Sequence, residues 1–364
     1  RDKQGRKMSK SLGNSPDLLD LIDKYGADAV RFGIMISSPA GNDLLFDESS
    51  CDQGRSFNNK LWNALKLVKM WEANGVQTID QSKEQWQQTM FPSFWFKERL
   101  KEVRAAVEQL YKEFKLSEAL KTIYSLIWDD FCSWYLEWIK PGFGEPVNAQ
   151  LYQDTLDFFE ELLQLLHPFM PFVTEEIYHQ LRQRSEGDDL VILQYKPVEN
   201  NALPLIHLDG SEVLALGQLA KNTITAIRDV RNKNGLKFKD SIALHIQTLN
   251  EKDYTIVGSI LASQLNTASI NFVSEPVPNA VSIVVGKDKF YVETGKEIDT
   301  SVQKDQLLKD LEYLKGFLIA VDKKLSNERF VQNAKPEVVD IERKKKQDAE
   351  DKIKIIEDSL SSMI

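Results

Sequence analysis

Residues 96–138 read FKERLKEVRAAVEQLYKEFKLSEALKTIYSLIWDDFCSWYLEW, and their spacing decides the fold class. Phe96, Leu100, Val103, Val107, Leu110 and Phe114 recur in steps of four and three. Ile123, Ile127, Phe131, Trp134 and Trp138 make a second stripe, and Leu156, Phe159, Leu163 and Leu166 a third. A 3.6-residue repeat turns each stripe into one apolar helix face, and several such faces bury one another in a helical bundle. Pro141-Gly142 and His167-Pro168 interrupt the stripes. The chain is therefore expected to be mainly α.

Working outward, residues 1–48 open with a Gly/Ser/Lys loop. A helix is expected from about Pro16, capped by Ser15, with Asp17 and Asp20 in its first turn and Gly26 at its end. A second helix follows from Ala27 and stops before the turn at Ser37–Gly41. Residues 49–200 form the bundle. Residues 201–300 form a small α/β unit, with one helix near 211–232 and strands at Ile242–Gln247, Ser269–Val273, Val281–Val285 and Phe290–Glu293. The last two are joined by a hairpin turn at 286–289.

In residues 301–364, Leu307, Leu311, Leu314, Leu318, Val321 and Leu325 form a heptad seam. Asn327–Pro336 breaks it, and a charged helix follows from Pro336 with Val338, Ile353, Ile356 and Leu360 on one side. The pair is expected to be an antiparallel coiled-coil hairpin, roughly 35–40 Å long at about 1.5 Å per residue. Its seam should be wet at Glu342–Asp348.

The chain has 364 residues, enough for two or three units. Its net charge of −9 disfavours indiscriminate nucleic-acid binding, so any such binding must use the basic clusters at Arg6–Lys10, Arg228–Lys239 and Arg343–Lys346. Two distant cysteines, Cys51 and Cys132, and four histidines without metal spacing argue against a disulfide scaffold and a metal centre. No run approaches the roughly 18 apolar residues that cross a bilayer. The first residue is not Met, which reads as a fragment or a processed product.

Lys7-Met8-Ser9-Lys10-Ser11, followed by Leu12-Gly13-Asn14, places two ammonium groups three residues apart among small hydroxyls. Such a loop can close on a polyphosphate, where lysines act as point charges as negative charge builds up. The pentapeptide resembles, at all five positions, the KMSKS loop of class I aminoacyl-tRNA synthetases. The continuation Ile22-Asp23-Lys24-Tyr25-Gly26-Ala27-Asp28-Ala29-Val30-Arg31 resembles the helix after that loop in the branched-chain subgroup.

Ser37–Glu48, Phe57-Asn58-Asn59-Lys60-Leu61-Trp62-Asn63 and Asp322–Val331 resemble the valyl members, while His167–Glu176 is shared across the subgroup. Arg329 and Asn333 stand where the family usually has Gly and Ala.

The resemblance implies a C-terminal piece of such an enzyme. It would comprise the loop region (1–48), an anticodon-binding bundle (49–200), an α/β junction (201–300) and a coiled-coil tRNA-binding arm (301–364). It implies catalytic roles for Lys7 and Lys10, and ATP contacts, with Mg2+, by Lys10, Met8, Ser9 and Ser11. The implied partners are tRNA(Val) and the catalytic and editing domains of the same polypeptide, in a cytoplasmic monomer.

An RNA site needs cations for phosphates and amides or aromatic rings for unstacked bases. Arg55, Asn58, Lys60 and Trp62 fit that need in the bundle. Lys323, Lys324, Arg329, Lys335, Arg343, Lys344, Lys345 and Lys346 fit it in the arm. Isolated, the piece should bind tRNA without catalysis. An isoleucyl enzyme, or a non-catalytic RNA-binding scaffold, is the alternative reading.

Overall fold

The computed structural model describes residues 1–364 except 40, 195–207, 279, 295–299, 328–335 and 362–364. Helices carry most of the chain, and it divides into two compact units, Arg1–Gly217 and Gln218–Ile364.

In the first unit α1 (Leu18–Tyr25) and α2 (Ala27–Ile36) follow the N-terminal loop. The helix start is one correction to the sequence reading. Asp17, not Ser15, is the cap, because its carboxylate accepts the Leu19 N–H at 2.9 Å. Helix α3 (Ser49–Asn74) crosses α2 so closely that a Cβ on Gly54 would lie 2.6 Å from the Ala29 carbonyl oxygen. A short parallel pair, β1 (Val76–Gln77) with β2 (Val147–Asn148), ties the end of α3 to the start of the helix that begins at Ala149.

Helix α4 (Lys83–Lys112) begins at a Ser82–Gln85 capping box that the sequence reading did not pick out. Helix α5 (Leu116–Ser125) runs into a π-helical stretch (Leu126–Tyr135) and the short α6 (Leu136–Ile139). Helices α7 (Ala149–Leu166) and α8 (Pro171–Leu181) complete the bundle.

The stripes meet as the spacing requires. Phe96 packs on Phe131, Tyr135 and Phe158 at ring separations of 5.3, 5.0 and 5.1 Å, and Phe131 packs on Phe159 at 5.2 Å. Each ring taken from water contributes roughly 1.5–3 kcal/mol. Phe114 is a second correction. It lies beyond α4, 83% exposed, and is no part of the core.

The unit boundary falls within α9 (Gly210–Lys233). In the second unit β3 (Ile242–Gln247), β4 (Thr267–Phe272), β5 (Val281–Val285) and β6 (Asp288–Thr294) form a sheet of order β4-β3-β6-β5. Strands β3 and β4 are parallel, joined through α10 (Glu251–Leu265), a helix absent from the sequence reading. Strand β3 alternates, with Ile242, Leu244 and Ile246 buried. The β5–β6 hairpin is tighter than expected. Val285 already pairs with Asp288, so only Gly286 and Lys287 turn, with Gly286 at φ +63. Strand β4 starts two residues earlier than read, and β6 extends past both expected ends.

Helices α11 (Thr300–Leu325) and α12 (Pro336–Ser361) pack antiparallel. Lys315–Glu357 at 2.6 Å, Asp322–Lys346 at 2.8 Å and Lys324–Glu342 at 3.6 Å fix the direction. The turn between them lies outside the described residues. Among the described positions of the α11 seam, Val321 is buried and Leu311, Leu314, Leu318 and Leu325 are half-buried. On α12 the seam runs through Val339, Glu342, Lys346, Ala349, Ile353, Ile356 and Leu360. Val338 is therefore a correction. It is 42% exposed against 5% for Val339, because the heptad phase is set one residue later.

Candidate functional site

The N-terminal loop is built around Asp2. This buried carboxylate accepts the N–H groups of Gln4 (3.1 Å) and Arg6 (2.9 Å), the Arg6 side chain (2.7 Å) and the Asn14 amide (3.1 Å). Burial pushes its pKa up, but the bonds from Arg6 and Asn14 outweigh this and hold it at about 2. Asn14 reaches across the loop, donating to the Lys7 carbonyl (3.2 Å) and accepting the Ser9 N–H (2.9 Å). Ser9 caps a 3-10 turn at Lys10–Leu12 that closes on left-handed Gly13, and its hydroxyl lies 3.0 Å from that of Ser11.

The expected site residues lie along this frame. Met8 and Ser9 are half-buried and form its inner side. Lys7, Lys10 and Ser11 are exposed, and neither lysine has an ion pair among the described residues. The loop thus offers two uncompensated ammonium groups on a hydrogen-bonded base, a donor set that fits a polyphosphate.

Farther along the chain, α2 grips the segment 168–173. Asp28 accepts the N–H groups of Phe172 (3.4 Å) and Val173 (2.6 Å), and so caps α8 from another helix. Arg31 donates to the carbonyls of Pro168 and Phe169, both at 3.1 Å. Burial raises the Asp28 carboxyl, partly offset by the two backbone donors. The segment around His167 is therefore packing and helix start.

The four bundle residues do not share one surface. At about 100° per residue, Arg55, Asn58 and Trp62 lie along one side of α3, while Lys60 faces another. Arg55 is paired with Asp52 at 3.0 Å and sits over the Tyr25 ring. Trp62 is half-buried, and the Asn58 carbonyl oxygen is buried without a hydrogen-bond partner. The Lys60 ammonium lies 5.3 Å from the centre of the Trp128 ring, which stacks on Tyr124 at 5.6 Å. Both rings are half-buried. Sequence reasoning missed this pair because both residues lie off the apolar stripe, one position after Ile123 and Ile127.

In the arm the cations are largely compensated. Lys345 pairs with Glu342 (2.7 Å), Lys346 with Asp322 (2.8 Å), Arg343 with Asp340 (3.2 Å) and Lys324 with Glu342 (3.6 Å). Lys323 and Lys344 are exposed and have no ion pair among the described residues. Arg329 and Lys335 lie outside the described residues.

In the bundle, His179 stands 3.3 Å from Glu175 and 3.0 Å from Asp189. The Glu175 oxygens already accept the N–H groups of Leu190 and Val191, so the trio clasps a turn.

Three families match segments of this chain. The class I tRNA synthetases (I, L, M and V) match residues 1–47, the anticodon-binding domain of tRNA ligase residues 94–247, and the valyl tRNA synthetase tRNA binding arm residues 299–364. The whole chain is 43% identical to a valine–tRNA ligase of Parabacteroides distasonis, 42% to one of Phocaeicola vulgatus and 33% to one of Symbiobacterium thermophilum. The chain matches the C-terminal part of a valyl-tRNA synthetase.

It spans 40%, 40% and 42% of the length of those three relatives. Their names, with the arm family, favour the valyl over the isoleucyl assignment. A leucyl-tRNA synthetase–tRNA–LeuAMS complex of Agrobacterium radiobacter K84 matches at 20% identity and a TM-score of 0.36, over 50% of this chain and 21% of that one. That likeness is too slight to bear on fold or function. Among the described residues, no helix is long and apolar enough to cross a membrane.

Proposed function

We propose that this chain is the tRNA-holding portion of a valine–tRNA ligase, which activates valine with ATP and transfers it to tRNA(Val). The observation that carries the proposal is the presence in one chain of the hydrogen-bonded lysine loop and of a segment matching the valyl arm. Residues 1–48 supply the loop edge of the active site, 49–200 the anticodon-binding bundle, 201–300 a junction and 301–364 the arm. The catalytic and editing domains of the same polypeptide complete a monomeric, cytoplasmic enzyme.

Lys7 and Lys10 act as catalytic cations. Their exposed ammonium groups would hold the phosphates of ATP with its Mg2+, which when bound supplies the activated phosphoanhydride. Met8 and Ser9 support the loop from within, and the exposed Ser11 hydroxyl would be available to the nucleotide. Charge of this kind counts most where negative charge accumulates, so the loop stabilises the adenylation transition state.

RNA contacts in the bundle fall to the Arg55–Asn58–Trp62 side of α3 and to Lys60 beside Trp128. Those of the arm fall first to Lys323 and Lys344, with Arg329 and Lys335 proposed on the sequence alone. Lys324, Arg343, Lys345 and Lys346 would contribute only by exchanging a carboxylate partner for a phosphate.

In the full-length ligase, Lys10→Ala should slow valine-dependent ATP–pyrophosphate exchange by on the order of a hundredfold. Unchanged exchange would refute the role of the loop. Removing 301–364 should raise the tRNA concentration needed for charging and spare the exchange reaction. The chain alone should bind tRNA(Val) in preference to unrelated RNA at moderate salt, without charging it.

A further inference from the structure

Between α9 and β3 the sequence runs Lys233-Asn234-Gly235-Leu236-Lys237-Phe238-Lys239-Asp240. Helix α9 ends on left-handed Gly235 (φ +64), and the Leu236 N–H returns to the Arg231 carbonyl at 2.9 Å. Residues 237–240 then make a turn closed twice. The Asp240 N–H donates to the Lys237 carbonyl (3.0 Å), and the Lys237 N–H donates to the Asp240 carboxylate (2.9 Å).

From inside, the buried Arg231 guanidinium donates to the carbonyls of Lys237 (2.9 Å), Asp240 (2.8 and 2.9 Å) and Leu265 (2.7 Å). The Asn266 amide holds the Phe238 carbonyl at 2.9 Å. Leu236 is buried as an apolar anchor.

The backbone of this turn is thus tied inward while its side chains project outward. Phe238 is 61% exposed, and Lys237 and Lys239 flank it. Neither of these lysines, nor Lys233, has an ion pair among the described residues. A rigidly presented ring left in water stabilises nothing in the fold, and a polar residue would serve the turn better. A flat apolar face between two free ammonium groups complements an unstacked base with a phosphate on each side. An acidic peptide would satisfy the lysines but leave the ring without a partner, and a membrane surface would need a broader apolar face.

We propose that the turn 237–239 is an RNA contact, with Phe238 stacking on an unpaired base of the bound tRNA and Lys237 and Lys239 on the adjoining phosphates. This rests on the tRNA-binding reading above and adds a contact outside both the α3 surface and the arm.

The test compares the chain with its Phe238→Ala, Phe238→Trp and Lys237→Gln/Lys239→Gln variants, binding a tRNA(Val) transcript by fluorescence anisotropy over a salt series. Melting curves check that all variants are folded, as substitution of exposed side chains allows. Phe238→Ala should weaken binding about tenfold with the salt dependence unchanged. Phe238→Trp should bind like the parent. The double glutamine variant should flatten the slope of log K against log salt by about 2.

If the parent binds tRNA(Val) preferentially and Phe238→Ala binds equally well, this contact is wrong and the tRNA reading stands. If Phe238→Trp weakens binding as Phe238→Ala does, the stacking role is overturned. If the parent shows no preference for tRNA(Val), both readings fail together.

Discussion

Phe114 is a bulky residue where helices prefer glycine. Its N–H bonds to the Tyr111 carbonyl (3.0 Å) and that of Lys115 to the Leu110 carbonyl (2.9 Å), the two bonds of a Schellman turn, with Phe114 itself at φ +57. A side chain in that conformation costs about 1–2 kcal/mol, and the exposed ring recovers little by burial. Phe114→Gly should therefore raise stability by roughly 0.5–1 kcal/mol, after glycine's entropy in the unfolded chain is subtracted. An unchanged or lower melting temperature would show that the ring has a packing partner.

Asp2 gives a pH dependence. Its carboxyl is held at about 2, below its ordinary 3.8, so its contribution is complete above about pH 4 and is lost as pH falls through about 2. The Gln4 and Arg6 amides should lose protection over that window, and in Asp2→Ala they should be unprotected at neutral pH. The lysines of this loop were legible because their chemistry lies in the residue types themselves. The Asp2 hub was not, since nothing in an Arg-Asp-Lys-Gln start says which side chain turns inward.

At the level of elements, the tight crossing of α2 and α3 is the most exposed to mutation. A Cβ on Gly54 would meet the Ala29 backbone at 2.6–2.8 Å, and backbone cannot rotate aside. Gly54→Ala should destabilise by at least about 2 kcal/mol, measured in denaturant, although alanine is the better helix former.

The bundle and arm helices were readable because apolar stripes repeat over several turns. Helix α10 was not, because Thr255, Ile256, Val257, Gly258 and Ile260 favour strand or turn locally. Burial of Tyr254, Val257, Leu261 and Leu265 along one face overrides that preference. The arm's charged layer was foreseen as a wet seam, but not that Glu342 would be buried in it beside Lys324 and Lys345. Glu342→Leu should raise the arm's melting temperature while allowing the two helices to slide. Disulfide trapping between cysteines placed along α11 and α12 would read that slippage as mixed pairings.

For the whole molecule, a net charge of −9 coexists with a nucleic-acid role only if the uncompensated cations are few and local. Lys233, Lys237, Lys239, Lys323 and Lys344 are such cations, whereas most of the arm's charge is spent internally. The slope of log K against log salt for tRNA(Val) should then lie between about −3 and −5. A steeper slope would mean that the internal pairs open on binding. Composition revealed the charge but not its pairing, which depends on which helix faces lie opposite one another.

Arg231 collects its acceptors from two stretches far apart in the chain, the turn at 237–240 and the C-terminus of α10 at Leu265. During synthesis the turn precedes Leu265, the last residue of α10, by some two dozen residues. The guanidinium therefore lacks one of its carbonyls until the helix has been made and docked against the sheet. The bonds within 231–240 can form first, whereas the Arg231–Leu265 and Asn266–Phe238 bonds that tie the turn to the sheet form only once the β3-α10-β4 crossover is complete.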